Sequence, residues 1–348
     1  MNAPRGGTSQ AADGEDTAVG VAGERGHGRR QRVAKWISGW GNTQVGVLAV
    51  IDLLFALVLS FSSPVFLTSA NLLAVGVAMA GNVLASMGQT LVLLTGGFDL
   101  ALGSSYGLAG VITAHALLRG VPLWPSVVLG LLSGVLIGWV NGLIVTKLEI
   151  NPFIATLGTM TVGRGAINIL TRGYSISGLP ESFMKLVHTR VLGLPPSFVF
   201  MLLAFVLTDL LLRYWRPARQ IYYLGGSPDY ARLIGINVDR TCILAYVISG
   251  AFGALGGLLF TARTGAASQQ AGIGLEMMAL VAPFLGGVGF GGEGSALGAF
   301  LGAILIALVV NAIQLLGIAV LWQNVVIGLF LIGAALVGVT RVRRASRR

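Results

Sequence analysis

The residues that could do chemistry in this chain are few and scattered. Asp52, Asp99, Asp209, Glu276 and Arg164 lie in or beside long apolar runs, where an ionisable group marks function by default. Asp99, in "TGGFDLALGS", follows Gly96-Gly97 and precedes a new apolar run, which is the N-cap position of a helix at a tight turn. A pore-facing role and a proton relay are its alternatives. Arg164, in "TVGRGAIN", needs an acidic partner, backbone carbonyls or water. The four carboxylates read as lying near span ends, which weighs against an ion-coupled transporter. His27, His115 and His188 are far apart and lack metal-ligand spacing. No nucleophile–base pair stands out, so a membrane enzyme has no support. The only lysines, Lys35, Lys147 and Lys185, follow Ala34, Thr146 and Met184, so no phosphate-cradling Gly-x-x-x-x-Gly-Lys-Ser/Thr loop exists here. A lone cysteine, Cys242, excludes an internal disulfide.

Amides form the other polar set. Asn82, Gln89, Asn168, Asn311 and Gln314 fall on apolar runs. They could line a path for a hydroxylated solute, or they could hydrogen-bond between helices.

The stretch "GGSPDYARLIGINVDR", residues 225–240, is a polar island with good helix grammar. It follows Gly226. Ser227 fits the N-cap and Pro228 the first helical position. Asp229 sits in the positive first turn and Arg232 toward the negative end. Ala231 lies mid-helix, and Gly235 can take the left-handed C′ conformation. Asp239 is expected to cap the next span. A helix this short does not hold itself in water. Tyr230, Leu233 and Ile234 are therefore expected to meet a partner, with lipid as the alternative.

The elements that position these residues are membrane spans. The chain has 348 residues, 55% hydrophobic and 10% charged, with a mean hydropathy of +0.82. A soluble domain carries roughly 25% charge. Apolar runs of about 20 residues recur along its length, each enough for a helix through the hydrocarbon core. The fold class is an all-α polytopic membrane protein, and 51 glycines suit close helix packing in lipid. Ten spans are expected, at about 44–62, 70–95, 99–118, 125–146, 152–171, 196–213, 241–262, 275–289, 295–316 and 319–339. Residues 1–43 read as a disordered basic tail and 341–348 as a second basic tail. Placing both tails inside puts about 17 of the 23 Lys+Arg in cytoplasmic segments and about five outside. The net charge of +10 thus follows membrane topology and does not indicate nucleic acid. The largest inner loop is then about 214–240, and the largest outer segment about 172–195.

Residues 214–240 resemble the cytoplasmic coupling loop of permease subunits in ribose-type ATP-binding-cassette (ABC) sugar importers. "GQTLVLLTGGFDLALGS" (88–104), "NGLIVTKLEINPFIATLGTMTVGRG" (141–165) and "GIGLEMMALVAPFLGGVGFGGEGSALGAFLGA" (272–303) resemble three further stretches of that family, in the same order. The similarity covers about 45–338. Departures are the single acid Asp229 after the loop's glycines, Glu293 in the late Gly-rich turn, and Ala101 where serine is usual.

The resemblance implies a non-catalytic permease of the bacterial inner membrane, with an inverted repeat relating spans two to five to spans seven to ten. It implies a second copy or a related permease as pore partner. It also implies a cytoplasmic ATPase carrying the ATP and Mg²⁺, and a periplasmic or lipid-tethered binding protein delivering a monosaccharide or polyol. No cofactor is expected on this chain.

Overall fold

The computed structural model describes residues 44–190, 193–319, 321–330 and 332–333. Both basic tails and much of the tenth expected span lie outside them. The described residues form helices α1 (Gln44–Ser62), α2 (Ser69–Leu94), α3 (Leu102–Leu118), α4 (Leu123–Lys147), α5 (Pro152–Thr171) and α6 (Glu181–His188). These are followed by α7 (Pro196–Tyr214), α8 (Arg216–Gly226), α9 (Pro228–Leu233), α10 (Val238–Thr264), α11 (Leu275–Leu285) and α12 (Ala296–Leu315). Residues 322–330 are also helical. Among the described residues, seven helices are long and apolar enough to cross a membrane: α1, α2, α4, α5, α7, α10 and α12.

α10 is the central column, packed against α2, α3 and α4. The contact with α4 is made by glycines one turn apart. A Cβ on Gly134 would strike the Gly250 carbonyl, one on Gly138 the Tyr246 carbonyl, and one on Gly142 would come within 2.7 Å of Ile243 Cα. Backbone meets backbone, which is how helices associate where lipid removes any hydrophobic driving force.

Two expected spans are broken. At 1.5 Å per residue, the 17 residues of α3 and the 11 of α11 rise about 26 and 16 Å, short of a 30 Å hydrocarbon core. α3 runs beside only the second half of α10: Leu102 lies against Gly253, Tyr106 against Gly257 and Gly110 against Thr261. α11 packs instead against α2 and α12. It begins beside Leu102, in one apolar cluster with Leu275 and Ala279. It ends at Leu285, whose carbonyl accepts from Gln44 Nε2 at the start of α1. The expected spans 99–118 and 275–289 are thus corrected to two half-helices whose N-termini meet at mid-depth. The irregular segment 97–99 precedes α3, and a run of turns over 266–274 precedes α11.

The connections alternate between two ends. One end holds the close of α2, the start of α5, α8, α9 and the Gly-rich turn after α11. Phe98, Phe153, Phe284 and Phe290 gather there, with ring centroids 4.6–6.3 Å apart in successive pairs. At the other end, Ile176 and Ala267 form a two-way backbone bridge between the loops before α6 and after α10. The expected outer segment 172–195 is not simply a loop. It carries α6, which tucks Phe183 and Val187 against the bundle.

Candidate functional site

The polar island at 225–240 forms as its grammar dictates, with one addition and one correction. Ser227 Oγ accepts from the Tyr230 N–H at 3.2 Å, and Pro228 follows at the first helical position. Asp229 pairs with Arg232 at 3.1 Å. Gly235 has φ +82°. The N–H groups of Gly235 and Ile236 return to the carbonyls of Arg232 and Ala231, closing the helix end. The addition is α8, missed within the expected loop. Ala218, Ile221 and Leu224 recur every third residue and are buried, so this helix lies along the bundle. The correction concerns the cap of α10. Asn237, not Asp239, accepts from the Arg240 N–H, because the helix starts at Val238, two residues earlier than an Asp239 cap requires; Asp239 instead pairs with Lys147 of α4.

α8 and α9 stand on the bundle through small residues. Gly225 lies on the Leu94 carbonyl at the end of α2 and on Gly292. A Cβ on Gly225 would overlap both. Tyr222 donates to the Gly294 carbonyl at 3.4 Å, and burial raises its phenol pKa. Ala231 points inward and is fully buried, whereas Leu233 is 85% exposed and Tyr230 56%. The island therefore presents an apolar tip outward, while Gly225 and Gly226 of α8 join it to the end of α2 and to the Gly-rich turn after α11.

Asp99 sits at mid-depth, not at a surface turn. Its Oδ1 accepts from the Ala101 N–H at 3.1 Å, and its Oδ2 accepts from Ser249 Oγ of α10 at 2.7 Å. Gly96 (φ +84°) turns the chain before it. Gly97 is pressed against the Tyr246 hydroxyl, which donates to the Phe98 carbonyl at 2.9 Å. Gln89 belongs to this knot and lines no described cavity. Its amide donates to the Asp99 carbonyl at 3.1 Å and accepts from the Asp99 N–H at 3.3 Å. These two bonds serve an unwound backbone that has no helical partners of its own.

Three of the amides meet. Asn82, Asn311 and Gln314 line a cavity of about 240 Å³ between α2, α12 and 322–330, together with Asn71 and Gln323. Asn71 and Asn311 exchange hydrogen bonds of 3.2 and 3.0 Å. Asn82 and Ala78 also line an adjoining cavity of about 170 Å³ with Tyr106, Ser197 and Arg263. Asn168 does not join them; it is exposed on α5. Asp52 corrects a second expectation. It is the ninth of the nineteen residues of α1, mid-span, and both its oxygens are buried without a hydrogen-bond partner. No group of three or more His, Cys, Asp or Glu among the described residues could hold a metal.

A family model described as "Branched-chain amino acid transport system / permease component" matches residues 70–335. The chain belongs to this family of transport permeases. It is 33% identical to the D-allose transport system permease protein of Escherichia coli K12, over 83% of this chain and 88% of that one. It is 35% identical to the ribose import permease protein of Bacillus subtilis 168, over 81% and 89%. It is also 33% identical to the autoinducer 2 import system permease protein of an Enterobacter species, over 87% of each. No solved structure matches. The permease is thus a multi-pass membrane protein, and its long apolar helices fit that membership.

Proposed function

We propose that this permease is the non-catalytic transmembrane subunit of an ABC importer for a monosaccharide or related polyol. The observation that carries this reading is the island at 227–235: a capped helix with an exposed apolar tip, joined through Gly225 and Gly226 of α8 to the end of α2 and to the Gly-rich turn after α11. Burying Leu233 in a groove of an ATPase would contribute about 1.5–3 kcal/mol. The partner would bind ATP and Mg²⁺, and its closing motion would enter through α8 and α9.

The relatives' names supply the substrate class: ribose, allose and a signalling molecule. The amide-lined cavity suits a neutral, hydroxyl-rich solute, since carboxamides both donate and accept. Asn82, Asn311 and Gln314 are its proposed path residues. A binding protein would deliver the sugar at the end bearing α6, and a second copy or related permease would complete the pore. The bacterial inner membrane, with both termini in the cytoplasm, is the proposed setting. An inverted repeat accounts for the two half-helices: α3 and α11 fall at the third and eighth places of a ten-span order, five apart, and run in opposite directions.

Mid-span Asp52 favours one competing reading, an ion-coupled transporter. Reconstitution separates the two. Vesicles holding the permease, its ATPase and its binding protein should take up sugar only with ATP. Leu233→Glu should leave a folded permease that hydrolysis no longer drives. So should Gly235→Pro, which removes an N–H bonded to Arg232 and forbids the positive φ. Sugar uptake by the permease alone on an ion gradient would overturn the importer.

A further inference from the structure

The junction of α3 and α11 holds a charge arrangement that the coupling surface and the amide cavity do not use. Both helices present their positive N-terminal ends to it. Asp99 compensates α3. Glu276, in the first turn of α11, accepts from the Gly274 N–H through Oε1 at 3.2 Å. A third helix reaches in from the side. Arg164 of α5 crosses α3 where α3 has no side chains, at Gly103 and Gly107, and its Nη1 donates to the Ala271 carbonyl at 2.7 Å. Its Nη2 and the Oε2 of Glu276 are both buried and both lack a hydrogen-bond partner. They also share a neighbour. A Cβ on Gly103 would stand 3.2 Å from Arg164 Nη2 and would strike Glu276 Oε2 and the Gly272 carbonyl.

A guanidinium and a carboxylate that served stability alone would be joined, because an unpaired buried donor and acceptor are each costly. Here one arm of the guanidinium is anchored and the other stops short of its counter-charge. Closing the gap needs only a small movement of α11 toward α5. The chain is built to allow one: Gly272 (φ +76°) and Gly274 (φ +77°) flank the start of this three-turn helix. Loop or element-terminal residues that absorb a backbone rotation are the usual hinges of such shifts.

We propose that Arg164 is a positioning residue for translocation, a tie between α5 and the half-helix junction that is open toward Glu276 in this conformation and closed in the opposite state of the cycle. The proposal rests on the permease reading. Arg164 holds the junction through Ala271 in one state and through Glu276 in the other, so the two half-helices shift as a unit with α5. Gly103 must stay bare for the charges to pass.

The test is a charge-reversal cycle in the reconstituted complex of permease, ATPase and binding protein, with ribose as the probe. Uptake is counted per assembled permease and set beside ATP hydrolysed, and melting temperature is measured on the same variants. Arg164→Gln, Glu276→Gln and Gly103→Ala should each lower uptake roughly tenfold or more per molecule while hydrolysis continues. Arg164→Lys, which keeps the charge but not the fork, should fall between these and the unaltered protein, and it covers the case in which Arg164→Gln fails to fold. The reversed pair, Arg164→Glu with Glu276→Arg, should regain both uptake and melting temperature relative to either single reversal. If the single variants melt lower yet transport within about twofold of the unaltered protein per molecule, the pair is only structural and the proposal is overturned. If the unaltered complex moves no ribose, allose or autoinducer 2, the importer reading fails instead. The melting-temperature cycle still reports whether the two charges couple.

Discussion

Asp99 shows how one carboxylate can hold an unwound segment inside a membrane bundle. It accepts from Ala101 and from Ser249, while Gln89 takes up its backbone N–H and carbonyl. Asp99→Asn should keep most transport, because the amide oxygen can still accept from Ala101 while its NH₂ donates to Ser249 Oγ. Asp99→Ala strands the Ala101 N–H and a buried hydroxyl, so it should cost about 1–3 kcal/mol and show as a lower melting temperature at matched expression. If Asp99→Asn abolishes uptake with an unchanged melting temperature, the carboxylate carries charge in the mechanism and is not structural. The glycine turn was legible in "GGFD", but the expected cap is corrected: Ala101 is the N-cap of α3, without a side-chain cap bond, and Asp99 accepts from the Ala101 N–H ahead of the helix. Its depth was not legible, because an unwound segment inside the bundle and one at the surface share that signature. Gln89 takes the hydrogen-bonding side of its two readings, but its partner was hidden for the same reason. Its partner is a backbone ten residues away that only the break in the helix exposes. Asp52 lies mid-span even on the expected bounds 44–62, which α1 matches, so its depth was legible and its placement near a span end does not follow from the sequence.

At the scale of elements, the stripe Gly130, Gly134, Gly138 and Gly142 decides where α4 lies. Gly138→Leu would set a side chain against the Tyr246 carbonyl, a backbone atom that cannot rotate away. Overpacking of this kind costs about 1–3 kcal/mol or more, so this variant should elute as aggregate or lose its melting transition in detergent. Gly158→Leu on α5 meets nothing within 4 Å and should behave like the unaltered protein in the same assay. Equal behaviour of the two would mean that α4 and α10 are not in backbone contact. Glycine content announced close packing, and four-residue spacing marked the face. The half-helices escaped notice because Leu100 and Ala101 before α3 and the residues 286–289 after α11 prolong the apolar runs past the helix ends. α8 escaped because it is amphipathic and short, buried by Ala218, Ile221 and Leu224 against a bundle that the linear pattern does not reveal.

For the whole molecule, odd and even connections separate cleanly. α8 and α9 share an end with the Phe98 cluster, and α6 shares the other with the Ile176–Ala267 bridge. The end bearing α8 and α9 also carries Lys147, Arg216, Arg219, Arg232 and Arg240, the pattern of a cytoplasmic face. A cysteine at Asp229 and one at Ser182, both exposed positions, report the two ends separately once Cys242 is replaced by Ala. That background change is mild, because Cys242 is buried, and alanine leaves only a small void. On intact cells, a membrane-impermeant maleimide should label Ser182→Cys at once, and Asp229→Cys only after permeabilisation. Labelling of both from outside would mean that an even number of crossings separates positions assigned to opposite faces, and the path from α6 to α9 would have to be redrawn. Labelling of Asp229→Cys alone from outside would keep the helix order and invert the molecule. The apolar tip at Leu233 would then face the binding protein, and no cytoplasmic ATPase could drive it.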